Sequence, residues 1–221
     1  MSTKFSPFAI WLFFCFLFIA ILVSCRIMYS GNTLYLFLVW NLFLAWVPYA
    51  ISLSFKKIIL KHKLIQAIVF ITWLLFFPNA LYIVTDIIHV KETEMVPVWF
   101  DAILLFIASF AGLALAFASI LNLEYMLRYY FHKKITNALV IFLLFVGSFG
   151  VYLGRFQRWN SWDVVDNPLS LAADILNRFT SPSAHPKTWG VTFLLTGLYA
   201  VCWFFIKSFP VSIIHSKQKT I

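Results

Sequence analysis

The chain has few charged residues, and acidic residues are the scarcest of them. Only 11% of its 221 residues are charged, and just eight are aspartate or glutamate. An ordinary soluble domain carries about 25% charge, so this chain has too little polar surface to cover a water-soluble core. With 62% hydrophobic residues and a mean hydropathy of +0.90, the composition predicts an integral membrane protein.

Cysteines are also few, and their positions exclude two classes of site. Cys15, Cys25 and Cys202 all lie in apolar stretches, which excludes a disulfide framework and a CxxC metal site. The segment from Leu22 to Cys25 also has the form of a lipoprotein cleavage box, so cleavage there would lipidate Cys25. The preceding apolar run is long enough to span a bilayer and too aromatic for an ordinary signal core, and we therefore favour a first membrane span.

The net charge of +9 does not indicate a nucleic-acid partner. The 17 basic residues occur in short clusters between the apolar runs, which is the pattern of membrane loops and not of a continuous basic surface. The sequence therefore predicts the lipid bilayer as a partner and no nucleic acid.

Six apolar runs are long enough to cross a bilayer core of about 30 Å, which needs about 20 helical residues. Only the connection between the fifth and sixth runs is long, and its apolar residues recur at helical spacing. This predicts a single all-α membrane domain of six transmembrane helices, with a short amphipathic helix on the membrane surface. The predicted spans are residues 7–26, 33–55, 64–88, 98–121, 135–153 and 188–209, and the surface helix is residues 168–179.

The positions of lysine and arginine predict how the chain is threaded. If the N-terminus is inside, the cytoplasmic segments hold more basic residues than the opposite face, which satisfies the positive-inside rule. Both termini are therefore predicted to be cytoplasmic, and the third and fifth connections to face outward. All the acidic residues except Glu124 belong to that outer half.

Small residues in two spans predict close helix packing. Ala108, Gly112 and Ala116 form a stripe on the fourth span, and Gly150 and Gly154 form a GxxxG motif on the fifth. Such surfaces let helix backbones approach each other. We expect the fourth and fifth spans to pack closely.

The third span ends in the sequence WLLFFPNALYIVTDIIHV. Pro78 is expected to bend the helix unless a neighbour such as Asn79 compensates for the missing hydrogen bond. Asp86 and His89 lie on one face of the C-terminal end, where a carboxylate opposes the helix dipole and needs a cation or a metal nearby. Asp101 has a simpler explanation, because the dipole favours a carboxylate in the first turn of the fourth span.

The fifth span leads into the sequence YLGRFQRWNSWD. Arg155 and Arg158 are spaced to share a helix face, where their guanidinium groups can bind a carboxylate or a phosphate, including a lipid phosphate. Asn160 is the third candidate contact for such an anion. The alternative is that both arginines anchor the helix at the interface and pair internally.

Other residues of the fifth connection complete a predicted outer cluster. The connection contains Trp159 and Trp162, and tryptophan is typical of the membrane interface. Asp163 is placed to pair with an arginine, and His185 returns to the same face before the sixth span. The structural members of the cluster are Asn79, Asp101, Trp159 and Trp162.

These motifs resemble a known family. The segments FPNALYIVTDIIHV, VWFD and GVYLGRFQRWNSWD, followed by an aspartate and a histidine, are similar to the bacterial multi-pass membrane family catalogued as domain of unknown function 1361. The resemblance extends from about Trp73 to the sixth span and leaves the first two spans outside. It implies a multi-pass protein of the bacterial plasma membrane and carries no known activity or cofactor. The family has PNAPY where this chain has Leu81, so a second helix-breaking proline is absent.

Three functions remain open from the sequence. The outer cluster can lock the connections together or bind an anionic lipid or envelope ligand. It can be the active site of an enzyme acting on a lipid or envelope substrate, or part of a path for a small anion. The sequence identifies no cofactor and no oligomeric state. The catalytic candidates are Asp86, His89, Asp163 and His185, and the metal candidates are Asp86, His89 and His185.

Overall fold

The computed structural model describes residues 6–90 and 96–208, and every regular element in these two ranges is helical. The α-helices are α1 (Pro7–Ser30), α2 (Phe37–Ser52), α3 (Phe55–Ile58), α4 (Lys63–Tyr82), α5 (Val98–Tyr130), α6 (Lys133–Gln157), α7 (Asp163–Asp166), α8 (Pro168–Thr180) and α9 (Pro186–Ser208). Three 3₁₀ segments, Leu34–Leu36, Ile83–His89 and Pro182–Ala184, adjoin α2, α4 and α9.

Six helical segments are long and apolar enough to cross a membrane, which confirms the predicted all-α membrane fold. Helices α1, α5, α6 and α9 each form one of them. Helices α2 and α3 together form the second, and α4 with the Ile83–His89 segment forms the third. The predicted end of the sixth span at residue 209 lies outside the described residues.

Helix α1 has a capping residue at each end. The side chain of Ser6 accepts a hydrogen bond from the backbone N–H of Ala9 at 3.1 Å, and Pro7 occupies the first turn, where its missing N–H is harmless. At the other end, Gly31 has a φ of 64°, the left-handed conformation that favours glycine. The helix therefore ends before the turn into α2.

Helix α5 lies in the centre of the bundle. In its most apolar stretch 61% of the residues are buried, compared with 17% in the corresponding stretch of α9 and 22% in that of α1. Next to it, the rings of Trp73 and Phe77 on α4 stack at a centroid distance of 4.6 Å. The Nε1 of Trp73 donates to the hydroxyl of Ser119 on α5 at 2.6 Å. Apolar packing and interhelical hydrogen bonds thus hold the central helices together.

The glycines of α5 and α6 face α4. Helices α5 and α6 are in contact, but a Cβ at Gly112 would lie 3.0 Å from the carbonyl oxygen of Ala80. A Cβ at Gly150 would lie only 2.5 Å from the Cγ of Pro78. The small residues therefore make room for the third span, and the Pro78 ring fits against the bare backbone of α6.

We expect Gly150→Ala to lower the free energy of unfolding by about 1–3 kcal/mol, because the new methyl group overlaps with the ring of Pro78. Gly154→Ala is the matched control. Its Cβ would lie 3.5 Å from the nearest atom, the carbonyl oxygen of Trp159, which is an ordinary contact distance. Thermal unfolding of both variants in detergent measures the difference, and equal melting temperatures would contradict the proposed overlap.

Candidate functional site

Arg155 on α6 forms a buried ion pair with Asp86, with the two side chains 8% and 0% exposed. Its Nη2 donates to Oδ1 of Asp86, and its Nε donates to the hydroxyl of Thr85 at 2.9 Å. The third nitrogen, Nη1, lies 3.1 Å from Nε2 of His89. Because a guanidinium group has only donors, His89 accepts this hydrogen bond. Arg155 is thus the cation beside Asp86, and all three of its nitrogens have partners.

Two further side chains extend this ion pair to neighbouring helices. Nδ2 of Asn41 on α2 donates to Oδ2 of Asp86 at 3.0 Å. The ring of Tyr82 on α4 lies against the guanidinium group of Arg155, at 3.9 Å from its centroid. These contacts fasten α2, the end of the third span and α6 to one another.

A second buried ion pair joins α1 to α5. Nε and Nη2 of Arg26 donate to the two carboxylate oxygens of Asp101 at 2.7 Å and 3.0 Å. Asp101 does lie in the first turn of α5, but the helix dipole is not its only partner, because Arg26 neutralises its charge directly. The ring of Tyr35 lies 4.3 Å from the Arg26 guanidinium carbon, and its hydroxyl donates to the carbonyl oxygen of His89 at 3.1 Å. Tyr35 therefore connects the two ion pairs.

Arg158 and Asp163 are not placed as the sequence predicted. Arg158 follows the last residue of α6 and has a φ of 63°, so it does not share a helix face with Arg155. Asp163 accepts a hydrogen bond from the backbone N–H of Asn160 at 2.6 Å, within its own turn. Asp163 makes no ion pair with any residue in the described ranges. The reversal of the chain at Arg158 separates the two arginines.

The surface helix is present as α8 and is tied to the turn before it. Nε1 of Trp159 donates to Oδ2 of Asp174 at 2.7 Å. Asp174 also pairs with Arg178, one turn later on α8, and the Arg178 side chain is buried near the ring of Tyr152. The tryptophan thus fixes the turn to α8 instead of only anchoring it at the interface.

No hydrogen bond or ion pair in the part of the chain that the structure describes joins Asp163 or His185 to Asp86 or His89. Asp86 and His89 lie beside Arg155, whereas Asp163 bonds within its own turn. The side chain of His185 makes no hydrogen bond or ion pair with the residues that the structure describes. Across residues 6–90 and 96–208, no group of three or more His, Cys, Asp or Glu side chains is arranged to hold a metal ion, so the three metal candidates form no such group.

A cavity of about 390 Å³ lies between α2, α4 and α6 and is closed at one end by residues 159–164 and α8. None of the described residues that line it is charged. Most of its wall is apolar or aromatic, and its polar side chains are Asn41, Asn79, Tyr82, Asn160 and Ser161. The end of the cavity that lies farther along the three helices from residues 159–164, here called its deeper end, is lined by Leu44, Leu74, Leu75 and Val146.

The cavity reaches the surface of the bundle on one side. Trp40 on α2 and Trp162 both line it, and they are 55% and 43% exposed. The turn that carries Trp162 is held in place by the hydroxyl of Ser161, which accepts from Nδ2 of Asn79 at 3.0 Å and donates to the carbonyl oxygen of Leu75 at 2.8 Å. The turn that closes the cavity is therefore bonded directly to α4.

Sequence reasoning missed several residues of this site, among them Thr85 and Tyr82 beside Arg155 and three residues of the first two spans. Arg26, Tyr35 and Asn41 lie in the first two spans, outside the segments where polar residues are dense. A signal was present at Arg26, because an ionisable residue at the end of an apolar helix requires a partner. The sequence did not indicate that its partner is Asp101.

The fold and the site define a multi-pass α-helical membrane protein with two buried ion pairs, one of which, Asp86–Arg155, contacts the wall of an uncharged cavity. The chain belongs to the family described as protein of unknown function DUF1361, whose model matches residues 40–202. The match starts at residue 40 and not near Trp73, so it includes most of α2, which carries Asn41. No curated protein and no solved structure matches the chain.

Proposed function

We propose that this protein binds the apolar part of a membrane lipid or lipid-linked envelope compound in the cavity between α2, α4 and α6. The buried Asp86–Arg155 ion pair, with Asn41 and Tyr82, holds the three helices that shape this cavity. The observation that carries the proposal is the cavity itself, which is uncharged, largely apolar and reaches the surface of the bundle between Trp40 and Trp162.

The size and depth of the cavity support a lipid ligand. Its volume of about 390 Å³ lies within the range of about 300–1,000 Å³ typical of small-molecule sites. Its wall on the third span runs from Leu74 to Tyr82, which is about 12 Å along a helix that rises 1.5 Å per residue. Lipids are the molecules that present long apolar chains to this surface in a bilayer.

The contacts of the ion pairs support a structural role for them. Arg155 is buried and each of its nitrogens is bonded to Asp86, His89 or Thr85, which favours locking over anion binding. Arg26 is also buried and its charge is neutralised by Asp101, so a path for small anions lacks an available cation at either position. The separation of the four catalytic candidates likewise gives the enzymatic alternative no support.

We also propose that the cavity lies toward the outer leaflet of a bacterial plasma membrane. The excess of lysine and arginine on the other face favours cytoplasmic termini. The turn at residues 159–164 then faces outward, and a ligand would enter from the leaflet that faces the cell envelope.

Filling the cavity tests the proposal. We expect Val146→Phe to abolish lipid retention, because the larger ring occupies the deeper end of the cavity. The wild-type protein is expected to retain about one lipid per chain after extensive delipidation in detergent. Native mass spectrometry of the purified protein measures the bound lipid directly.

Val201→Phe is the matched control, since Val201 lies exposed on α9 and does not line the cavity. It is expected to retain lipid as the wild type does. If Val146→Phe and the wild-type protein retain the same amount of lipid, the proposed cavity site is wrong.

A further inference from the structure

Two asparagine side chains line the cavity with their amide nitrogens bonded to neighbouring protein atoms. Nδ2 of Asn41 donates to the Asp86 carboxylate at 3.0 Å, and Nδ2 of Asn79 donates to the carbonyl oxygen of Phe76 at 3.1 Å. Both partners only accept hydrogen bonds, so they determine which end of each amide is the nitrogen. The Oδ1 atoms of Asn41 and Asn79 are therefore acceptors, and neither bonds to a residue that the structure describes.

Acceptors in the wall of an apolar cavity favour a ligand that carries a donor. An apolar ligand that covers these two oxygens without bonding to them costs free energy, and a hydroxyl group on the ligand removes that cost. Asn41 and Asn79 come from adjacent spans and line the same cavity, so the ligand's polar end meets acceptors on two sides.

The charge of the cavity wall determines which donors fit. None of the described lining residues is charged, and the carboxylates bonded to the lining side chains of Asn41 and Trp159, those of Asp86 and Asp174, are each already paired with an arginine. A phosphate or an ammonium group would enter without a counter-ion, and burying an unpaired charge is costly. A hydroxyl group donates without this cost.

We infer that the cavity selects an uncharged lipid with a free hydroxyl group at its polar end, of the diacylglycerol class. The inference rests on the proposed function and names its ligand class. The apolar chains occupy the deeper end near Val146, and the hydroxyl group donates to Asn41 or Asn79.

The first experiment uses the wild-type protein and three lipids with identical acyl chains: a diacylglycerol, its 3-acetyl ester and the corresponding phosphatidic acid. Acetylation removes the donor, and phosphorylation adds charge. Each lipid is titrated into the protein in phosphatidylcholine nanodiscs, and bound lipid is measured by native mass spectrometry. We expect the diacylglycerol to bind about tenfold more tightly than either of the others, the size expected for one good hydrogen bond.

Asparagine variants then locate the preference. In Asn79→Ala and in Asn41→Ala, we expect the preference for diacylglycerol over its acetyl ester to fall to about threefold or less, because one acceptor is lost. Asn122→Ala is the matched control. Nδ2 of Asn122 also donates to a neighbouring span, to the hydroxyl of Ser52 at 3.0 Å, but Asn122 does not line the cavity.

The two proposals fail in different ways. If the acetyl ester or the phosphatidic acid binds the wild-type protein as tightly as the diacylglycerol does, the inferred ligand class is wrong. Cavity binding still stands in that case if Val146→Phe abolishes it. The proposed function itself fails if none of the three lipids binds, or if Val146→Phe leaves the binding of all three unchanged. The wild-type comparison decides the ligand class even if an asparagine variant does not fold.

Discussion

Arg155→Ala is expected to lower the free energy of unfolding by about 3–5 kcal/mol, because it leaves the carboxylate of Asp86 buried without its cation. The same change removes the hydrogen bonds to Thr85 and His89 and the contact with the Tyr82 ring. Chemical unfolding in detergent, followed by tryptophan fluorescence, measures the loss.

Two variants separate a lost ion pair from a lost side chain. Adding Asp86→Ala to Arg155→Ala removes the unpaired charge, so the double variant is expected to be more stable than Arg155→Ala alone. Arg128→Ala is the matched control, since Arg128 is 45% exposed and its partner Glu124 keeps a second cation, Lys207. Arg128→Ala is expected to lower the free energy of unfolding by less than about 1 kcal/mol. If Arg155→Ala unfolds as the wild type does, the Asp86–Arg155 pair does not lock the fold.

Arg26→Met is expected to lower the free energy of unfolding by about 3–5 kcal/mol, as Arg155→Ala does, because Asp101 is then buried without a counter-charge. Methionine retains much of the length of the arginine side chain, so the effect reports mainly on charge. We expect Arg26→Met combined with Asp101→Leu to recover most of the stability, since apolar replacement of a buried ion pair is often neutral. Thermal unfolding of the purified variants in the same detergent measures both.

Lys207→Met is the control for removing a cation from a buried carboxylate that keeps another. Glu124 accepts hydrogen bonds from Lys207 at 2.6 Å and 2.8 Å and also pairs with Arg128. Lys207→Met is expected to lower the free energy of unfolding by less than Arg26→Met does. An Arg26→Met protein with the same melting temperature as Lys207→Met would contradict the assignment of Arg26 as the counter-charge of Asp101.

Two residues both contact the Asp86–Arg155 ion pair and line the cavity, which makes the stability of the fold and the binding of lipid dependent on each other. Asn41 donates to Asp86 and lines the cavity, and Tyr82 contacts Arg155 and lines it as well. Losing Arg155 therefore removes support from two parts of the cavity wall. Lipid retention in Arg155→Ala is expected to fall even in the fraction that remains folded.

Features that depend on local spacing could be predicted well. The six spans follow from the length of each apolar run, because a bilayer requires each crossing segment to satisfy its own backbone hydrogen bonds. The surface helix α8 and the pairs Glu124–Arg128 and Asp174–Arg178 follow from helical periodicity alone. Each of these depends on residues within a few turns of one another.

Contacts between distant segments could not be predicted. Arg26 and Asp101 are 75 positions apart, and Asn41 and Asp86 are 45 apart. Hydropathy and spacing indicate that such residues lie near the same membrane face, but not which of them meet. The same limit applies to Gly150, whose partner is Pro78 of α4.

The sequence by itself determined the membrane class, the six spans, the surface helix and the family resemblance, because each of these is recorded in composition or in local order. Only the tertiary structure decided that Asp86 pairs with Arg155 and Asp101 with Arg26, and that an uncharged cavity lies beside the first of these pairs. The physical reason is that partner choice in a bundle depends on how helices rotate and pack. That packing is set jointly by all the side chains and not by any one segment.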